Sequence, residues 1–237
     1  MISTPPRPRL NAIPPEVAAL AYRCGAEPNT TGASQVVLAQ TGSMRPEPDR
    51  RWVSFRARQS LAVDRSGFHW RAVTGPFGSI VVTDALEDAG PRLSVVALGF
   101  IPLAKAAVSD ALTKGELQRY LAELPLAPDA ILRNSQLVWT VLDADTFRVA
   151  ASHRGVHAHV DLQLGEDGFV ASAMAPDRPR LEGAVTVERP WTGCFSDYRL
   201  IGGRRLPFVA EASWTLGGET SAYWRAVMTS WELRGGA

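Results

Sequence analysis

From Val53 to Val63 the chain repeats with period two, so that Val53, Phe55, Ala57, Gln59, Leu61 and Val63 fall on one face of an extended backbone. Successive side chains of a strand point to opposite faces, and this spacing suits a strand with one side covered. The alternation returns in Phe68–Val73, Ile80–Val82 and Leu93–Ala97, each run separated by Gly, Pro or Asp, which predicts a meander. Gln35–Gln40, β-branched and apolar, predicts a strand before it. Later, Gln136–Leu142, Thr146–Ala151, Val156–Leu164 and Phe169–Ala175 follow one another with Asp143-Ala144-Asp145, Arg154-Gly155 and Asp167-Gly168 as turns. Tyr198–Ile201, Gly202-Gly203 and Arg204–Pro207 read as strand, tight turn and strand, and Tyr223–Leu233 as a last strand. Roughly eleven strands result.

Helical signals are fewer. Pro15 and Glu16 open an Ala- and Leu-rich run, placing a fixed φ and an acid in a first turn, and predict a helix near 14–24. Leu103–Ala111 and Gly115–Leu124 lack alternation and predict helices that interrupt the sheet. Thr113 with Glu116 fits a capping box, which starts the second of these near 114. Pro128–Leu132 predicts a third short turn ending before Asn134. The charged, proline-containing tract Arg45–Arg51 reads as a surface loop. With no repeat and no long linker, the expected organisation is a proline-rich arm over 1–13 and one domain over 14–237.

Composition excludes several function classes. A hydrophobic fraction of 46% with 21% charged residues lets a core form without disulfides or metals. The balance of 25 Lys+Arg against 24 Asp+Glu, with no long basic run, argues against nucleic acid as a partner. Cys24 and Cys194 belong to no metal-spaced cluster and read as reduced. The polar, proline-rich start is not a secretory signal, so a cytoplasmic location is expected. No run approaches the roughly 20 apolar residues of a membrane span, since Gly99, Pro102 and Lys105 break the longest candidate. No Gly-x-Ser-x-Gly elbow, Walker loop, dinucleotide fingerprint or His-Glu-x-x-His is present, and no cofactor is expected.

Four constellations carry candidate chemistry. His157, His159 and Asp161 share a strand face, a permissive metal geometry that alternating polar residues on a solvent face explain equally well; no metal site is assigned. Glu116, Arg119, Tyr120 and Glu123 are neighbours on one helix and could deliver acid, base and cation to a cavity, or form a cap and an ordinary ion pair. Asp197 lies among Trp191, Phe195 and Tyr198, beside Arg199, Arg204 and Arg205. An acid among aromatics is a candidate general base, though it could equally hold the hairpin through an arginine. Finally, seven tryptophans, at 52, 70, 139, 191, 214, 224 and 231, mostly fall in strands, as either core filling or the lining of an apolar site.

Several segments resemble a widespread bacterial family of unknown function. Gly115-Glu116-Leu117-Gln118-Arg119-Tyr120-Leu121-Ala122-Glu123 resembles its G-E-L-x-R-Y-L-A-E helix, and Gly67-Phe68-His69-Trp70-Arg71-Ala72 its G-F-x-W-x-A strand. Pro190-Trp191-Thr192-Gly193-Cys194-Phe195-Ser196-Asp197-Tyr198-Arg199 resembles its P-W-x-G-x-F-x-D-Y-R element, followed by Gly203–Pro207, Trp214 and Tyr223-Trp224. The likeness spans about residues 14–234. Members often carry W-F-P after the helix, where this chain has Leu126-Ala127-Pro128; if that aromatic lines a pocket, the pocket here is wider. The resemblance implies an α+β, lipoprotein-carrier-like fold: a large curved, mostly antiparallel sheet forming an open half-barrel, with a few short helices covering one face.

Two functions are therefore expected to compete. One is binding or carriage of a hydrophobic or amphipathic small molecule in the concavity, with Trp70, Tyr120, Trp139, Trp191, Phe195, Tyr198, Arg204 and Trp214 as ligand-binding candidates. The other is a cofactor-independent isomerase, cyclase or hydrolase. It would use Glu116, Glu123 or Asp197 as base and Tyr120 or Tyr198 as acid. A partner-binding protein, marked by an exposed apolar patch, stands third.

Overall fold

Thirteen antiparallel strands form one sheet in the computed structural model, which describes residues 13–28, 32–45 and 47–235. Apart from Ile13, the expected proline-rich arm lies outside the described residues. One wing holds β1 (Ala33–Met44), β2 (Val53–Ala62), β3 (Phe68–Thr74), β4 (Ile80–Glu87), β5 (Gly90–Ala97) and β6 (Ile101–Lys105). The other holds β7 (Val138–Val141), β8 (Thr146–His153), β9 (Val156–Leu164), β10 (Val170–Glu182), β11 (Val185–Ile201), β12 (Arg204–Leu216) and β13 (Glu219–Gly235). Within each wing every strand pairs with its sequence neighbours, and the wings join where β1 pairs with β13, Val36 opposite Leu233. Strands β6 and β7 are the two free edges.

The alternation in β2 is realised as burial: Phe55, Ala57, Gln59 and Leu61 are buried while Ser54, Arg56 and Arg58 are exposed. The inward faces of the curled sheet wrap α2 (Asp110–Ala122), which packs on β8, β9 and β10 on one side and on β4 and β5 on the other. Enclosed from both wings, this helix has no wide polar face, and Leu117, Gln118, Tyr120 and Leu121 have no exposed surface. Helices α1 (Pro15–Arg23) and α3 (Pro128–Arg133) pack on each other, giving an open half-barrel with short helices over its concave face.

Three expectations change. Ile101–Lys105 is strand β6, not the start of a helix over Leu103–Ala111; Pro102 is accommodated because β6 is an edge strand with one unpaired side. This strand accounts for part of the rise from roughly eleven strands to thirteen. Helix α2 begins at Asp110 rather than near 114, because the Ser109 side chain caps it, accepting from the Leu112 N–H at 3.2 Å. Thr113 is then one turn inside, where its hydroxyl donates to the Ser109 carbonyl at 2.9 Å, and Glu116 is freed from any capping role.

Candidate functional site

A cavity of about 250 Å³ lies between the C-terminal half of α2 and the inward faces of both wings. Its walls are aromatic: Trp70 from β3, Trp191 and Phe195 from β11, and Tyr223 and Trp224 from β13. Their polar edges are satisfied laterally, which fixes the rings. The Trp70 indole N–H donates to Gln40 Oε1 at 3.1 Å, and that of Trp191 to the Tyr223 hydroxyl at 3.0 Å. Phe55 binds the set together from behind, edge-on to Trp70 at 5.6 Å and stacked on Trp224 at 5.9 Å between centroids. Leu126 also lines the cavity.

One side of the cavity is charged. Arg119 of α2 is shared between Asp84 of β4 and Glu123, the latter at 3.1 Å, and its guanidinium lies 4.8 Å from the Phe68 ring centroid and 5.2 Å from that of Trp70. Gln59, the polar member of the inward face of β2, donates from Nε2 to Glu123 Oε2. Arg178 of β10 stacks on Trp191 at 4.7 Å, is only 8% exposed and makes no salt bridge among the described residues. Glu116 is buried behind these groups. Burial first, then the negative charge of Asp84, pushes its carboxyl well above the usual range against the opposing pull of Arg178 and Arg119, and a hydrogen bond with the Asp84 side chain raises it further.

The candidates from sequence are thus divided. Trp70, Trp191, Phe195 and Glu123 line the cavity, with Glu116 beneath it. Trp214 is one layer out, stacked on Tyr223 at 5.8 Å. Tyr120 is core: its hydroxyl donates to the Ala62 carbonyl at 3.0 Å and accepts from Asn134 at 2.9 Å, and burial raises its pKa. Tyr198 is likewise committed, donating to the Val170 carbonyl at 2.8 Å and stacked on Phe169. Arg204 is locked on Asp129, and Trp139 is half-buried on β7. Asp197 is exposed, has a φ of +57° and is paired with Arg199 on its own strand, which lowers its pKa. A desolvated general base would shift the other way.

On β9, Asp161 is held bidentately by Arg148 at 2.6 and 2.8 Å and His157 meets Ser152 at 2.6 Å. Among the described residues no group of three His, Cys, Asp or Glu side chains could hold a metal ion, and no helix is long and apolar enough to cross a membrane.

Gln40, Asp84, Arg178 and Tyr223 are absent from the sequence-based candidates and Trp224 enters them only among the seven tryptophans, and all five line the cavity. Gln40 and Gln59 carry a readable signal, since a buried polar side chain on an otherwise apolar inward face requires a partner. Arg178 does not. Ala173 and Ala175 face inward, and strict alternation would continue with Asp177; the irregularity between Ala175 and Arg178 shifts the parity and buries Arg178 instead.

The same architecture is found in solved structures. A putative outer membrane lipoprotein-sorting protein domain from Vibrio parahaemolyticus superimposes with a TM-score of 0.52 at 8% identity, covering 94% of this chain and 92% of that one. A DUF1329 family protein from Desulfovibrio piger gives a TM-score of 0.50 at 11% identity, covering 94% of this chain and 93% of that one. At such identities the likeness is one of fold alone. No curated protein matches the sequence. Residues 4–226 match the family of unknown function DUF6544, to which the chain belongs.

Proposed function

We propose that the protein binds, and in that sense carries, a hydrophobic or amphipathic small molecule in the cavity beneath α2. The observation that carries this reading is the aromatic wall: Trp70, Trp191, Phe195 and Trp224, contributed by both wings, surround about 250 Å³ of space. Such a volume lies near the lower limit for small-molecule sites and suits a single short chain or a compact apolar body. A fold shared with a domain named for lipoprotein sorting is in keeping with an apolar cargo.

Catalysis by the expected acids and bases has less support. Tyr120 and Tyr198 have committed hydroxyls and Asp197 is on the surface, which leaves Glu123 in the wall and Glu116, its carboxyl pKa raised by burial, behind it.

The test is displacement of an environment-sensitive fatty-acid dye by a lipid extract, together with native mass spectrometry of protein purified from cells. Dye binding that Ala122→Leu weakens about tenfold or more is expected, because Ala122 lines the cavity and the added atoms fill it. No binding of any apolar probe, and no bound mass, would sink the proposal.

A further inference from the structure

Two neighbouring hairpin tips at one end of the sheet carry apolar side chains that the fold does not bury. The turn between β3 and β4 presents Phe77, which is fully exposed, and the turn between β5 and β6 presents Leu98 and Phe100, 62% and 77% exposed. The turns are tied together, because the Leu98 N–H donates to the Ser79 carbonyl at 2.7 Å. Exposed Ile101 and Leu103 of β6 continue the patch. Turn positions in contact with water usually carry Gly, Asn, Asp or Ser. Here Phe77 has a φ of +54° and Leu98 one of +52°, a backbone state that costs a bulky side chain more than it costs glycine or asparagine. These side chains are therefore kept against both solvent and backbone preference, and strain of this kind gathers at functional positions.

We propose that these two tips dock the protein on a lipid bilayer, with Phe77, Leu98 and Phe100 inserted at the boundary between headgroups and acyl chains. Three features select a bilayer as the occupant. Neither Ala72–Thr83 nor Leu93–Ala104 holds a charged side chain, so the tips and the strand ends behind them leave water without desolvating an ion. The backbone of the tips is provided for internally: the Gly78 N–H donates to the Gly75 carbonyl and that of Ser79 to Pro76, both at 3.1 Å, and that of Phe100 to Ala97 at 3.2 Å, while Pro76 and Pro102 have no N–H to satisfy. The patch is also continuous with the cavity. Ile80, Val82 and Asp84 stand opposite Ala97, Val95 and Leu93, so one inward face runs from the tips to Val82 and Leu93 in the cavity wall. Docking does not depend on the binding reading above; joined to it, this face gives an amphipathic molecule an apolar path between bilayer and cavity.

Co-sedimentation of the full chain with phosphatidylcholine vesicles, with and without phosphatidylglycerol and at low and high salt, tests the docking. Binding to both kinds of vesicle is expected, with little dependence on salt because the tips carry no charge. Phe77→Asn and Phe100→Asn should each weaken it about tenfold or more, and the triple change with Leu98→Asn should abolish it. Asparagine tolerates positive φ, so the changes at 77 and 98 should keep or raise the melting temperature, which separates lost docking from lost folding. None of the three side chains lines the cavity, so dye binding should stay unchanged. Absence of vesicle binding, binding that requires phosphatidylglycerol and disappears in salt, or tip variants that bind like the wild type would each overturn the inference. So would a dimer in analytical ultracentrifugation that the tip variants dissociate, since a second copy would then cover the patch. Any of these results leaves the binding reading in place, and failure of the dye to bind leaves the docking in place.

Discussion

Arg204 on β12 grips Asp129 on α3 through two hydrogen bonds of 2.9 Å each, with 5% of the arginine side chain and none of the aspartate exposed. The pair fastens the helical cover to the sheet, and the Glu27 N–H adds a third contact to Asp129 Oδ1 at 3.2 Å. Removing Arg204 strands the Asp129 carboxylate in the interior, and removing Asp129 leaves Arg204 with only the exposed Glu27 carboxylate, at 3.3 Å. Asp129→Ala should lower the unfolding free energy by about 3–5 kcal/mol in urea titrations, while the double change Asp129→Leu with Arg204→Met should recover much of it. A loss of less than about 1 kcal/mol for Asp129→Ala would show that the pair is not a fastening.

Glu116 supplies a pH dependence with a definite sign. Its folded pKa lies above the unfolded value near 4.5, so the folded state holds a proton that the unfolded state releases. Its contribution is complete below the unfolded pKa and is lost as pH rises from about 4.5 towards the folded value. Glu116→Gln keeps a neutral side chain of similar shape and removes this loss. The variant should therefore gain stability relative to the wild type between pH 5 and pH 8 in parallel chemical denaturations. A difference that is flat across this range would mean that Glu116 titrates normally.

Two glycines predict opposite outcomes for the same substitution. A Cβ on Gly42 of β1 would stand 2.0 Å from the Arg225 carbonyl oxygen and 2.9 Å from the Ala226 Cα, both backbone atoms of β13. Gly42→Ala therefore has to push the wings apart at their joint and should cost about 2 kcal/mol or more. A Cβ on Gly115 in α2 would meet nothing within 4 Å. Gly115→Ala should stabilise the protein by about 0.5–1 kcal/mol, the helix preference of alanine over glycine. Thermal unfolding of both variants checks the pair, and a destabilising Gly115→Ala would contradict the open space around it.

Much of the fold was legible because its information is local. Alternation in β2 and β3, and the Gly202-Gly203 turn between β11 and β12, are properties of short windows, and the structure follows them. What escaped depends on neighbours. Strand β6 is held by pairing with β5, and its lack of alternation reflects exposure of every residue. Polar α2 is buried because two wings enclose it, which no helical window records. In the site, Trp70, Trp191 and Phe195 could be named as large apolar side chains on strands. Asp84 and Arg178 could not, because one is an ordinary strand carboxylate and the other faces inward through a change of register.

The joint between β1 and β13 also bears on the order of events in folding. All other strand pairs join neighbours in sequence and can form as hairpins while the rest of the chain is still unfolded. The Val36–Leu233 pairing instead closes nearly the whole chain, and such long-range closure is slow. Trp70 belongs to one wing and Trp191 to the other, so neither half alone outlines the chamber. The cavity therefore takes shape only once the two wings have joined, late in the order that the strand pairing implies.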